Sequence, residues 1–552
     1  METNEEIEEE LNSEDEDIPE KNEPPPMSKE EKRLGGHKPL RTQFSLSAGP
    51  LMSQITGALY GIVTTIWVSK AVPNGMPAIS TFNCFDGIGR AFGFFIGTAG
   101  SSKISSLIGL HKIEETGQII ADLIRVCIIC GIIVPCILLP CLKPAGRWFG
   151  ASETVIELGF EYMLPLCVCT FSTCFFLGVG GCLQGEGRSL FFGIINVVAV
   201  VCNMLVLNPL FLFGFKTGIV GAGLATIMAE MIPGVTLIFM YFSGYFNVKP
   251  QWRMLLRKFS PHTLPALRVG ISQLVANLSV LLPSILVRKF LGDRTKNDFD
   301  DVMSAFNAGM RISALSNAIM VGFTMGYLPG ASYAYSAQLY KRFMRLTYHV
   351  LWLNLSWASL LSIFSWSIPR YLAMIFSSDE SYLQYNHVIT IFNGFSIFQS
   401  FRYTAQTFLQ AMQKGVQATV LSLLNNFVGI VLFAFIFYYV PTDDQTRVLW
   451  SYPASYVLAF VISIIWIARP FYRLRKKAKG TLTLPEDEEE EDRMESIDES
   501  GEPEQGFDKD KDHHGEERRE SIDESGEPEE DLENDNDKEW YREPETDNIR
   551  EF

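Results

Sequence analysis

The chain has 552 residues, 47% of them hydrophobic and 20% charged, and its formal net charge is −17. The charge is unevenly spread: residues 1–31 hold 14 acidic and 2 basic residues, and residues 481–552 hold 32 and 8. Of the 63 acidic and 46 basic residues, 17 and 36 therefore remain for the stretch between them, which is basic and apolar. The ten cysteines mostly fall in apolar runs without zinc-ligand spacing, which argues against a disulfide framework and a metal site.

The first element in chain order is an acidic N-terminal tail, residues 1–40. It is rich in Glu, Asp, Ser and Pro and has too few aliphatic residues to offset the entropy of an ordered chain. The sequence therefore predicts disorder here, and the acidic start argues against a secretory signal.

Twelve apolar runs follow, each long enough to cross about 30 Å of hydrocarbon as a helix. The first six runs are 45–69, 78–106, 117–142, 154–180, 189–213 and 218–243. The second six are 263–291, 302–328, 343–376, 384–411, 416–440 and 447–469. A chain with so many apolar runs has no water-soluble surface, so we predict an all-α, polytopic membrane protein of about twelve transmembrane helices in two six-helix lobes.

The runs and the charges between them predict five domains. They are the tail 1–40, an N-lobe 41–245, a basic cytoplasmic linker 246–262, a C-lobe 263–472, and a basic juxtamembrane segment that leads into an acidic disordered tail, 473–552. Lys and Arg cluster at one set of helix ends, so we expect an integral, multi-pass protein with both termini in the cytoplasm. The sequence does not distinguish the plasma membrane from an endomembrane.

The two halves resemble each other in sequence. SQITGALYGIVTTIWVSK at 53–70 aligns without gaps on SQLVANLSVLLPSILVRK at 272–289. FDGIGRA at 85–91 then aligns with FNAGMRI at 306–312, and LQGEGRS at 183–189 with LQAMQKG at 409–415. The three matches keep their order, which indicates parallel repeats with a binding region between the halves near the midplane.

The body of the chain also resembles a known family. LNPLFLFGFKTGIVGAGLATIMAE at 207–230 is similar to the junction of helices 5 and 6 in multidrug and toxic compound extrusion (MATE) transporters, and ALYGIVTTIWVSK at 58–70 to their first helix. The resemblance places the chain in the wider superfamily of multidrug, oligosaccharidyl-lipid and polysaccharide flippases. It implies export of organic solutes by alternating access, coupled to a proton or Na⁺ gradient. The usual acids of the family fall at Thr64, at Asn208, and near Val280 and Gln399, all uncharged.

Few ionisable groups remain inside the predicted membrane region, where a charge is costly and is therefore a functional candidate. Glu230 and Asp86 are the candidate coupling residues; for Glu230 the alternative is a packing role, with hydrogen bonds to neighbouring helices. Asp86 and Arg90 are spaced i, i+4 and can pair on one helix face, either as a structural clamp or as a coupling site. Arg311 aligns with Arg90 but stands one turn from Asn307 rather than from an acid, and Arg402 has no acid within a turn.

Candidate residues of a solute cavity share polarity or positive charge within apolar helices. They are Thr64, Arg90, Asn203, Asn208, Asn277, Arg311, Gln399 and Arg402. Hydrogen bonding across helices and packing are the alternative roles for the uncharged members, and anion or lipid-phosphate binding is one role for the arginines.

The sequence thus predicts a secondary active exporter of organic, xenobiotic-type solutes, by cation-coupled antiport. The alternatives are a flippase for lipid-linked substrates and a non-transporting membrane scaffold. No phosphate loop and no catalytic set of residues is recognisable, so we expect neither an enzyme nor a bound cofactor. The expected partners are small organic solutes, lipid-like or anionic ones among them, and membrane lipids; we expect no nucleic acid and a monomeric transporter unit.

Overall fold

Long apolar runs must fold as helices in lipid, because a helix satisfies its own backbone hydrogen bonds. The computed structural model describes residues 28–73, 75–149, 152–294, 299–375, 380–440 and 446–479. The first 27 residues and the repeated segment ESIDESGEPE at 495–504 and 520–529 lie outside the described residues, so the disorder predicted for them stays a prediction. The five domain boundaries likewise stay predictions, apart from the end of the N-terminal tail discussed below.

The N-terminal half contains α1 to α8 and two π-helical turns. They are α1 (Lys29–Gly35), α2 (Pro39–Ala71), α3 (Gly75–Gly109), α4 (Ile113–Trp148), α5 (Glu153–Val168), α6 (Thr170–Gly185), α7 (Ser189–Cys202), the π turns Asn203–Leu207 and Leu210–Gly214, and α8 (Ile219–Phe242). A short 3₁₀ helix, Trp252–Leu256, lies in the linker to the second half.

Prolines account for two irregular spans in this half. The predicted span 154–180 is formed by α5 and α6, which meet at an angle of 51° just after Pro165. Pro209 has no backbone N–H and lies between the two π turns that follow α7. Both sites bend or loosen a helix within the apolar region, as expected for a proline in a helix interior.

The C-terminal half repeats the arrangement with α9 to α18. They are α9 (Thr263–Arg294), α10 (Phe299–Ser336), α11 (Tyr340–Ser367), α12 (Pro369–Met374), α13 (Glu380–Leu383), α14 (His387–Asn393), α15 (Ser396–Ala411), α16 (Gly415–Leu423), the π turn Leu424–Val428, α17 (Gly429–Tyr439), the 3₁₀ turn Arg447–Trp450 and α18 (Ser451–Lys479). Within the described residues, helices cover each of the twelve predicted spans, and the helical fold is confirmed.

Seven of these helices are long and apolar enough to cross a membrane on composition alone, or eight if the bent pair α5–α6 counts as one span. The segments that do not meet this criterion include α2, α3 and α10. All three contribute residues to the cavity described below, so their lower hydropathy reflects polar groups that face the protein interior.

The two lobes contact each other at the end of the bundle that carries the clustered basic residues, here called the basic end. There α2 packs against α10, and α3 packs against α9 and α10. Ser106 and Ser336 share a hydrogen bond of 2.7 Å, and the Gln413 amide donates one of 2.6 Å to the Ser102 hydroxyl. A side chain at Gly326 would overlap Ser47, so the small residue permits this close approach. The basic end is therefore closed.

The predicted disorder of residues 1–40 is wrong for their last part, because α1 is a capped helix packed against the bundle. The Ser28 hydroxyl and the Glu31 carboxylate form a capping box at its start, and Leu34 is fully buried. The acidic composition predicted disorder wrongly here, because both acids of α1 have partners in the N-terminal half. Asn247 donates to Glu30 over 2.7 Å, and His111 Nδ1 lies 2.6 Å from Glu31.

The segment 28–42, here called the N-terminal strap, also contacts the other half of the protein. The guanidinium of Arg342 donates to the carbonyls of Leu34 and His37 over 3.0 and 2.7 Å, and to the Thr42 hydroxyl over 2.9 Å. The strap thus joins both lobes across the closed basic end.

A second link between the halves is made by Asp122 of α4, which is fully buried. Its carboxylate accepts hydrogen bonds from the Ser260 amide at 2.8 Å and the Thr263 hydroxyl at 2.6 Å, at the start of α9. An unpaired buried carboxylate would be costly, so these bonds fix the end of the linker on the N-lobe.

Arg342→Ala is expected to release the strap, because it removes three charge-assisted hydrogen bonds from the C-terminal half. Amide hydrogen exchange within residues 28–42 should become about tenfold faster, the equivalent of about 1.4 kcal/mol. Arg345→Ala is the matched control, since Arg345 lies one turn away on α11 and is exposed. Exchange equal to wild type in Arg342→Ala would contradict the strap's role.

A pH dependence is expected from Glu186, which lies in the turn after α6. Its side chain is fully buried, and burial raises the pKa of this carboxyl to about 7 although the Arg188 guanidinium, 3.5 Å away, opposes the shift. Between the ordinary pKa of a glutamate and pH 7, the Glu186 carboxyl is therefore protonated in the folded protein and ionised in the unfolded chain. Its contribution to stability consequently falls as pH rises toward 7.

Glu186→Gln should remove that contribution, so the variant's Tm should fall less than that of wild type between about pH 5 and pH 8. Thermal unfolding in detergent at the two pH values measures the difference. Glu114→Gln, at an exposed acid of α4, should behave like wild type. An unchanged pH slope in Glu186→Gln would show that the buried carboxyl does not carry it.

Candidate functional site

A cavity of about 1860 Å³ lies between the two lobes. Its lining reaches from Ser101 and Phe192, near the closed basic end, to Trp148, Asp293 and Ile375 at the opposite helix ends. The polar part of the wall comes largely from α2, α3, α9 and α10, and α8 adds Thr226 and Glu230. A cavity of this size, continuous with one end of the bundle, can hold a drug-sized molecule.

The central feature of the N-lobe wall is an arginine held by two carboxylates. Asp86 and Arg90 pair along α3 with an Nε–Oδ2 distance of 3.2 Å, as the i, i+4 spacing predicted. The same guanidinium reaches across to α8, where its Nη2 atom lies 3.0 Å from Glu230 Oε1. Sequence reasoning proposed Asp86 and Glu230 separately, and the fold joins them through Arg90.

The three side chains differ in their contact with the cavity. Arg90 and Asp86 are 33% and 26% exposed, whereas Glu230 is only 10% exposed. The second oxygen of Glu230 accepts a hydrogen bond of 2.5 Å from the Thr173 hydroxyl of α6. The carboxylate deepest in the wall is thus held by two partners on two different helices.

A hydrogen-bonded chain of uncharged groups adjoins this triad. Asn208 donates to Asn203 over 3.0 Å, Asn203 donates to the Tyr60 hydroxyl over 3.0 Å, and the hydroxyls of Tyr60 and Thr226 lie 2.6 Å apart. Tyr60, Asn203 and Thr226 line the cavity. This series of hydrogen bonds links α2, the π turn after α7, and α8.

Sequence reasoning missed Tyr60, Thr173 and Thr226. Tyr60 lies one turn before Thr64 in α2, which was a usable signal. Thr173 meets Glu230 across 57 positions of sequence, and no local pattern predicts that contact.

The candidate cavity residues fall into two groups. Thr64, Arg90, Asn203 and Arg311 line the cavity. Asn208, Asn277, Gln399 and Arg402 do not, so their predicted place in its wall is corrected. Asn208 and Gln399 are almost fully buried and lie in hydrogen-bonded contacts between side chains. Helix periodicity places polar groups on an interior face but does not separate a cavity wall from a packed interface.

Arg402 is buried on α15, outside the cavity lining. Its Nη2 atom donates to Gln399 Oε1 over 3.2 Å, and its guanidinium lies 4.3 Å from the centre of the Tyr403 ring. The hydrogen bond and the ring face satisfy part of this cation within the C-lobe.

The C-lobe wall contains three cavity-lining cations, Arg288, Lys289 and Arg311, and one acid, Asp293. Arg288 Nη2 donates to Asn307 Oδ1 over 3.2 Å. Among the described residues, none of these three cations forms an ion pair with a carboxylate. The two walls of the cavity therefore differ in charge.

Comparison with known proteins identifies relatives over most of the body. The MatE family model matches residues 51–210 and 274–439. The chain is 21% identical over 429 residues to the multidrug export protein MepA of Staphylococcus aureus (strain MRSA252), covering 74% of this chain and 89% of that protein. MepA of Staphylococcus haemolyticus (strain JCSC1435) is 23% identical over 309 residues, 53% of this chain and 64% of the relative, which is less than two-thirds of its length.

Among solved structures, a crystal structure of MATE in complex with MaL6 has a TM-score of 0.74 at 21% identity. The match covers 81% of this chain and all of that one. It supports the fold of twelve helices in two lobes.

Proposed function

Because the chain belongs to the MatE family of membrane transporters, we propose that it exports small organic solutes by alternating access, driven by a cation gradient. The matched relatives are named as multidrug export proteins, which favours solute export over the two alternatives, a lipid-linked substrate flippase and a non-transporting scaffold. Solute export needs no chemical change of the solute, so we propose no enzymatic step and no cofactor.

The observation that carries the proposal is the position of the Asp86–Arg90–Glu230 triad on the wall of the cavity between the lobes. Charged side chains inside a membrane protein are costly, and they occur where they are paired or where they have a functional role. The triad joins α3 and α8 and faces the space where a solute would lie. A change in the protonation of the triad can therefore change how α3 packs against α8.

We propose that the coupling cation is a proton and that Glu230 binds it. A proton on Glu230 would neutralise the charge that holds Arg90 Nη2, and α8 would lose its ion pair with α3. Asp86 would keep Arg90 partly compensated, so the guanidinium would not be left alone in the wall. A Na⁺ ion is the less suitable alternative here, because it prefers a set of oxygen ligands and the guanidinium already occupies the carboxylates.

We infer the direction of transport from the positive-inside rule for Lys and Arg. Basic helix ends favour the cytoplasmic side, so the closed end would face the cytoplasm, with both termini there. The cavity would then be open toward the opposite side, the state in which an exporter releases its solute. Both walls come from one chain, so a monomer would suffice as the transport unit.

Glu230→Gln is expected to abolish proton-driven solute transport in proteoliposomes, reducing it to the level of protein-free liposomes. Exchange of labelled for unlabelled solute without a gradient should continue, because the amide keeps the size of the side chain while it cannot take up the proton. Proton and Na⁺ gradients are imposed separately. Glu161→Gln, at an exposed acid of α5, is the control, and gradient-driven transport by Glu230→Gln at the wild-type rate would reject the assignment.

The same assay on Asp86→Asn assigns the second carboxylate. The variant is expected to fold, since Arg90 retains its 3.0 Å ion pair with Glu230. Lost coupling with retained exchange would make Asp86 part of the proton site. Unchanged coupling would make it a partner that only neutralises Arg90.

A further inference from the structure

The two walls of the cavity carry opposite net charges. The N-lobe wall holds two carboxylates and one guanidinium, all joined in the triad. The C-lobe wall holds three cations and one carboxylate among its described residues. The N-lobe wall therefore has a formal charge of −1 and the C-lobe wall a formal charge of +2, and the cavity between them is polarised.

The cation deepest along its helix in the C-lobe wall is Arg311, twelve residues from the start of α10. It is the repeat counterpart of Arg90, which has two carboxylate partners. Arg311 is exposed to the cavity and forms no ion pair with any carboxylate of the described residues. A guanidinium in this position has its hydrogen-bond donors available to a ligand.

The residue that would neutralise Arg311 by analogy is not an acid. Asp86 has Asn307 as its counterpart, and the amide oxygen of Asn307 accepts a hydrogen bond from Arg288 instead. The C-lobe thus replaces a carboxylate with an amide and adds a second guanidinium, whose centre lies 5.2 Å from that of the Phe306 ring. Both changes make this wall more positive than its N-lobe counterpart.

We propose that the exported solute carries an anionic group, a carboxylate, sulfonate or phosphate, that binds to Arg311 on the C-lobe wall. The inference rests on the proposed export function and specifies its substrate class. Guanidinium groups bind such oxyanions in a bidentate geometry. Arg288 and Lys289 lie further along the same wall and raise the local concentration of anions.

The other wall constrains the rest of the solute. Most of the cavity surface is apolar, with Phe94, Met310 and Trp357 in its lining, so an apolar body fits. A cationic group at the far end would face the N-lobe wall, whose triad has a formal charge of −1, and a proton on Glu230 would remove that charge. Antiport requires such opposition between proton and solute, so a zwitterionic amphiphile matches both walls.

The test uses two dyes that differ only in one carboxylate. Rhodamine 110 has a free carboxylate, and rhodamine 123 is its methyl ester, so the first is zwitterionic and the second is cationic. Binding to the purified full-length protein in nanodiscs is measured by fluorescence anisotropy, with empty nanodiscs as the blank. Wild type should bind rhodamine 110 more tightly than rhodamine 123.

Arg311→Gln should weaken rhodamine 110 binding about tenfold and leave rhodamine 123 binding unchanged, because hydrogen bonds to charged groups contribute about that much. Arg311→Lys should restore part of the preference by keeping the charge. Arg370→Gln is the control, at an exposed arginine paired with Glu380 outside the cavity lining.

The outcomes separate this inference from the function on which it rests. Binding of both dyes with equal affinity, unaffected by Arg311→Gln, would overturn the anion site and leave export intact. Binding of rhodamine 123 alone would do the same. Failure of both dyes to bind would count against the anion site and the export function together.

Discussion

The structure depends on how one guanidinium is compensated inside the bundle. Arg90 lies in an apolar, glycine-rich helix, and its charge is balanced by Asp86 one turn away and by Glu230 on a different helix. A buried ion pair is costly to build and more costly to break, so these contacts fix α3 against α8 while they last. A proton on Glu230 would remove one of the two ion pairs that compensate Arg90, which is why the triad fits the proposed coupling site.

The two halves of the chain surround the equivalent arginine with different side chains. They share the arginine, at Arg90 and Arg311, and the helix geometry around it. Among the described residues, only the N-terminal half pairs this arginine with acids; the C-terminal half has Asn307 in place of Asp86, and Asn307 accepts a hydrogen bond from Arg288. Internal repetition thus produces two similar walls, and we propose that a few charge differences give one wall the coupling role and the other the anion-binding role.

Much of the fold and part of the site were accessible from sequence. Hydropathy predicts the twelve spans because lipid requires continuous apolar helices, and the i, i+4 rule predicts the pair Asp86–Arg90 because it is local. Glu230 was identified as an expensive charge, but its partner lies 140 positions away and depends on helix packing. The helix α1 was missed because composition does not reveal that Glu30 and Glu31 find Asn247 and His111. Asn208, Gln399 and Arg402 were misplaced because a buried polar face and a cavity wall have the same sequence pattern.

Infrared difference spectroscopy of the purified protein, comparing solute-bound and solute-free states, measures the protonation of Glu230 most directly. If Glu230 exchanges a proton for solute, the spectrum contains a protonated-carboxyl C=O band that shifts in deuterated water. That band should be absent from Glu230→Gln and present in Glu161→Gln. A band that persists unchanged in Glu230→Gln, or a wild-type spectrum without one, would contradict the assignment of proton coupling to the triad.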